Sequence, residues 1–178
     1  FNVFIFDYRG YGRSEGTPTE AGVYKDGRAA YDYLTKVPGV DSARLILFGT
    51  SLGGAVAVDV ATDRKPAAMI LESTFSSARD VAKVAYPFLP VRFILRSELD
   101  SERKIRSISV PLLFMHGVRD SIIPIGLGRK LFQAANEPKA FYEIPLADHN
   151  DTFFVGGREY QERIRSFALE VLGHARHK

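Results

Sequence analysis

The strongest constraint in this 178-residue chain is an alternation: short apolar runs, too brief for helices, recur between segments of helical periodicity. The runs are residues 3–6 (VFIF), 45–48 (LILF), 67–71 (AAMIL), 112–115 (LLFM) and 141–144 (FYEI), most of them bounded by turn or breaker residues. Runs of this kind read as buried strands. Between the first two, Val23, Gly27, Ala30, Tyr31 and Leu34 recur at helical spacing and define one apolar face. Thr17-Pro18-Thr19-Glu20 signs the start of that helix with an N-cap hydroxyl, a proline at the first helical position and a glutamate placed to close a capping box. Tyr160, Ile164, Phe167, Ala168, Val171 and Leu172 repeat the pattern, and 52–62 and 124–135 fill the remaining gaps. Because a βαβ crossover joins parallel strands and is almost always right-handed, the alternation predicts an α/β fold: a mostly parallel sheet with helices on both faces. Ligands of such sheets bind beyond the C-terminal strand ends, so functional residues belong just after the apolar runs.

The length suits one domain over 1–178, with the irregular stretch 76–110 as a small cap segment within it. No apolar run approaches the ~18 residues of a membrane span. Net charge is +3 with both signs interleaved, which predicts no nucleic-acid partner. The absence of cysteine excludes a disulfide framework, a thiol nucleophile and a Cys-based zinc site. Phe1 already begins an apolar run, so the chain reads as opening inside a domain, with any leader or anchor upstream. Compartment and membrane association are not written in these residues.

Gly49-Thr50-Ser51-Leu52-Gly53 follows directly on the second run and leads into Gly54-Ala55-Val56-Ala57. In a strand–turn–helix setting, glycines two before and two after the serine remove side chains that would clash, and the serine is thrust out above the sheet. The Leu52 N–H at the helix start is then an oxyanion donor, aided by the helix dipole. A serine hydroxyl needs a base, and the base needs a partner that fixes its tautomer. Of four histidines, His174 and His177 lie in a polar tail, and His116 ends an apolar run where its side chain packs or bonds locally. His149, in the loop after the last run, is the candidate base. Asp120, in the loop after the fourth run, is the candidate acid; Glu72, directly after the third, competes with it. Asp148 and Asp151 stand too close to His149 in sequence to orient it and are expected to cap or solvate the loop.

Three separated motifs resemble the α/β-hydrolase superfamily, in the serine-hydrolase branch that includes depalmitoylases and esterase- and peptidase-like members. Asp7-Tyr8-Arg9-Gly10-Tyr11-Gly12-Arg13-Ser14 resembles the loop after that family's fourth strand, and Gly49 to Gly53 its nucleophile elbow. His116-Gly117 through Asp120, with His149-Asn150-Asp151, resembles its acid and histidine loops. The resemblance implies a Ser51–His149–Asp120 triad that cleaves an ester or thioester, or in a variant an amide, through an acyl-enzyme. It implies a small-molecule or acylated substrate and neither metal nor cofactor. Residues 85–95 fall where the family places a cap, and read equally as acyl-pocket lining or as core. The alternative is a binding or scaffold protein that keeps the fold without turnover.

The family's histidine–glycine loop, source of a second oxyanion N–H, would precede Phe1, which leaves Leu52 as the matched donor. The family's third strand lies between its fourth and fifth, here 3–6 and 45–48. These two runs are therefore expected one strand apart, with an open sheet edge through which copies of the chain associate.

Overall fold

Helix α1 (Glu20–Leu34) opens at Thr19, whose hydroxyl accepts the Gly22 N–H at 3.1 Å. The cap is thus two residues later than the proline suggested, and Glu20 does not close a box. Its carboxylate instead accepts the N–H groups of Glu98 (2.7 Å) and Leu99 (3.0 Å) and the Ser97 hydroxyl (3.0 Å). A local box would satisfy one donor; the tertiary alternative satisfies three. Burial opposes ionisation of Glu20, but these bonds outweigh it and hold the carboxyl below its ordinary range.

The computed structural model describes residues 1–90 and 97–174. Its sheet has four parallel strands in the order β1 (Ile46–Thr50), β2 (Ala68–Glu72), β3 (Leu112–Gly117) and β4 (Lys139–Ile144). Helix α2 (Leu52–Ala61) links β1 to β2, and α3 (Ala78–Ala85) and α4 (Ser101–Ile105) stand between β2 and β3. Helix α5 (Ile125–Ala134) joins β3 to β4, and α6 (Thr152–His174) follows, kinked at Gly157 where φ is +51°. Part of the expected cap lining, 91–96, lies outside the described residues, as does His177.

Strand alternation sends successive side chains to opposite faces. Met69, Leu71, Leu112 and Phe114 pack with Ala57 and Val58 of α2, Ile105 of α4 and Leu131 of α5. On the other face Ile70, Leu113, Met115 and Ile144 meet Tyr160, Ile164 and Phe167 of α6. Helix α1 lies on α2 through Val23, Tyr24 and Tyr31 against Val56 and Val60. Helices therefore cover both faces, and no helix among the described residues is long and apolar enough to cross a membrane.

The first apolar run departs from expectation: residues 3–6 form no strand, and Val3 and Ile5 are 80% and 84% exposed. A strand persists only where a neighbour takes its N–H and C=O groups. Among the described residues β1 pairs with β2 alone, and no backbone bond joins it to 3–6.

Candidate functional site

In register, Thr50 stands opposite Glu72, Glu72 opposite Met115 and Met115 opposite Tyr142, so all four strands end along one edge of the sheet. Ser51 is the first residue past that edge, with φ +53° and ψ −118°, a conformation costly for any residue with a Cβ. Fixed bonds hold it there. The Ser51 N–H donates to the Glu72 carbonyl at 2.9 Å, while the Ser51 carbonyl accepts the Thr74 hydroxyl at 2.9 Å and the Gly54 N–H at 3.0 Å. A Cβ at Gly49 would lie 2.6 Å from the Gly53 carbonyl carbon, so strand end and helix start approach too closely for any side chain. Gly53 differs from expectation, because its Cβ would meet only the Tyr8 hydroxyl at 3.7 Å, an ordinary contact. The second glycine that packing requires is Gly54, against Thr74. The Leu52 N–H opens α2, and no acceptor among the described residues takes it.

Asp120 and His149 come from loops after β3 and β4 and meet in a buried pair, Nδ1 of His149 lying 2.8 Å from Oδ2 of Asp120. The other carboxylate oxygen, Oδ1, accepts the N–H groups of Ile122 (3.0 Å) and Ile123 (2.7 Å). Burial alone would raise the Asp120 pKa; hydrogen bonds from His116, the Ile123 N–H and His149 overcome it and hold the carboxyl down to about 2. An ionised carboxylate only accepts, so Nδ1 of His149 carries the proton of the neutral ring and Nε2 is left as the acceptor. The two loops are tied directly. Asp148 accepts the Ser121 N–H (2.7 Å), the Ser121 hydroxyl (2.9 Å) and the His149 N–H (2.7 Å), and its own N–H donates to Asp151 at 2.7 Å. Among the described residues Ser51 and His149 are not hydrogen-bonded to each other, and the Ser51 hydroxyl has no partner.

Two further residues complete the edge. His116 is buried, with Nε2 at 2.8 Å from the Ile123 carbonyl and 3.3 Å from Oδ2 of Asp120, so it braces the acid loop from below. The four-residue spacing from His116 to Asp120 was visible in sequence, but nothing there distinguished this contact from plain packing. Glu72, the competing acid, does not reach His149. Its carboxylate accepts from Thr50 (3.2 Å), Tyr160 (3.1 Å) and, in a short contact, Thr152. Burial, with Glu72 beside it, pushes the Tyr160 phenol well above its ordinary range, which keeps that hydroxyl a donor. The loop at 7–14 is pinned to α1 by the Arg9–Asp26 ion pair at 2.7 Å. No group of three potential metal ligands occurs among the described residues.

The sequence model of the family described as "Serine aminopeptidase, S33" matches residues 1–97. An uncharacterized protein of Mycobacterium tuberculosis is 44% identical over 174 residues, covering 97% of this chain and 62% of that relative. The α/β hydrolase domain-containing protein WAV2 of Arabidopsis thaliana is 39% identical over 178 residues, covering 89% of this chain and 58% of the relative. The chain thus spans about three-fifths of the length of the curated relatives it matches. Among solved structures, an α/β hydrolase from Vibrio vulnificus superposes with a TM-score of 0.74 at 22% identity, over 90% of this chain and 61% of that one.

Proposed function

The chain belongs to the α/β-hydrolase superfamily, and we propose that it carries a serine hydrolase site in which Ser51 is the nucleophile, His149 the general base and Asp120 the orienting acid. The observation that carries this reading is the buried 2.8 Å bond between His149 and Asp120 at the sheet edge where Ser51 occupies its constrained turn. Nε2 of His149 takes the Ser51 proton as the oxygen attacks an acyl carbonyl, and the Leu52 N–H, unused by the fold, receives the developing oxyanion. The same proton then passes to the leaving group, and water reverses the sequence to release the acid. No step calls on a metal or cofactor.

The substrates proposed are esters and thioesters, with amides as the variant; in each the leaving group can take up the proton that the His149 imidazolium returns. A second reading, a binding or scaffold protein without turnover, draws on the missing hydrogen bond between Ser51 and His149. Catalytic hydrogen bonds in unliganded sites are often long, however, and tighten only with substrate. A fluorophosphonate probe separates the two. Covalent labelling that maps to Ser51 and disappears in Ser51→Ala is expected; a folded protein of the relatives' full length that resists labelling would support the scaffold.

A further inference from the structure

Glu72 takes no part in the proposed triad chemistry, yet its side chain accepts three hydrogen bonds at the same sheet edge. It is 3% exposed, and among the described residues no cation approaches it. A carboxylate removed from water without a counter-ion is expensive to keep, and hydroxyl donors offset only part of that cost. Its partners are what distinguish the position. Thr50 ends β1 and is covalently joined to Ser51. Thr152 opens α6, three residues after His149, and Tyr160 follows on the same helix beyond the Gly157 kink. The main chain of Glu72 contributes as well, since its carbonyl accepts the Ser51 N–H at 2.9 Å.

We infer that Glu72 is a positioning residue for the reaction proposed above: through Thr50 on one side and Thr152 with Tyr160 on the other, it holds the nucleophile turn and the histidine loop at a set separation. The inference rests on Ser51 and His149 being nucleophile and base. Three features favour it over simple packing. A buried aliphatic side chain would fill the same space without the desolvation cost. Each donor lies on an element that bears, adjoins or follows a proposed catalytic residue. The bonds run across the sheet edge from β1 to α6, two elements that no backbone hydrogen bond joins among the described residues.

The test uses the full chain, p-nitrophenyl butyrate as probe ester, and the variants Glu72→Gln, Thr152→Val and Thr152→Ser. Misplacement of reacting groups by about 1 Å costs up to roughly 100-fold in rate. Glu72→Gln and Thr152→Val are therefore expected to lower kcat by about 10- to 100-fold with KM little changed, and to slow fluorophosphonate labelling of Ser51 in proportion. Thr152→Ser, which keeps the hydroxyl, should restore both. The pH at which activity rises should not move, because the His149–Asp120 pair is intact. Unchanged kcat in Glu72→Gln with only a lower melting temperature would reduce Glu72 to a structural residue and overturn the inference. A loss near the ~10⁴-fold seen when a triad acid is amidated, with a displaced pH profile, would make Glu72 the acid and overturn it equally. Should Glu72→Gln fail to fold, the Thr152 pair decides, and wild-type kcat in Thr152→Val refutes the clamp. Turnover by Ser51→Ala, or a wild-type chain that neither turns over nor labels, would remove the triad reading and this inference with it. An inactive Ser51→Ala beside a fully active Glu72→Gln would remove this inference alone.

Discussion

Asp120 gathers the electrostatics of the site: two backbone N–H groups on one oxygen, and His149 with His116 on the other. The donors hold its pKa at about 2, below the ~3.9 of an unfolded aspartate, so the native state favours the ionised form. The stabilisation is fully present above about pH 4 and is lost as pH falls through about 2. For a side chain with no solvent exposure the shift amounts to about 2 kcal/mol. Urea unfolding of the wild type and of Asp120→Asn should show their stability difference shrinking by about that much between pH 5 and 2. A difference that stays flat over that range would mean the carboxylate is not held by these donors.

At the scale of elements, the turn from β1 into α2 depends on two glycines that are not the pair flanking the serine symmetrically. Gly49 lies under the Gly53 carbonyl, and Gly54 lies against Thr74, whose hydroxyl holds the Ser51 carbonyl. Alanine at position 54 must displace Thr74, at a cost of about 1–3 kcal/mol for overpacking and with loss of the bond that steadies the Ser51 turn. Alanine at 53 meets only an ordinary contact and gains helix propensity of up to about 1 kcal/mol. Thermal melts should therefore place Gly54→Ala several degrees below wild type and Gly53→Ala at or above it. The reverse order would show that the close packing lies at Gly53.

For the whole molecule, the side of β1 that pairs with no strand among the described residues is the feature with consequences in solution. Phe48 on β1 is 48% exposed, and Phe1, Val3 and Ile5 lie in solvent nearby in sequence to the loop that α1 pins. An apolar strand edge without a partner is a template for pairing with another chain. We propose that the 178-residue polypeptide associates with itself through this edge. Sedimentation velocity over a concentration series should show species larger than the monomer, and Phe48→Lys should shift them toward monomer, since a charge on an edge strand opposes pairing. A monomer at all concentrations would dismiss the edge as an interface.

Local rules were enough to read much of this protein. The alternation of runs led to a parallel sheet with helices on both faces, because strand and helix periods differ and the crossover has one hand. The serine between glycines after an apolar run, and the loops bearing Asp120 and His149, were legible because parallel topology puts every such loop at one edge. What lay beyond sequence depended on partners distant along the chain. Whether residues 3–6 become a strand depends on a neighbour to take their backbone groups, and none among the described residues does. Glu20 gives up a local capping box for three donors near position 98, a contact no spacing rule encodes. The separate surroundings of Glu72, which ends β2, and Asp120, in the loop after β3, were decided by which donors the tertiary packing brings. Three hydroxyls from β1 and α6 claim Glu72, and that leaves the imidazole of His149 to Asp120.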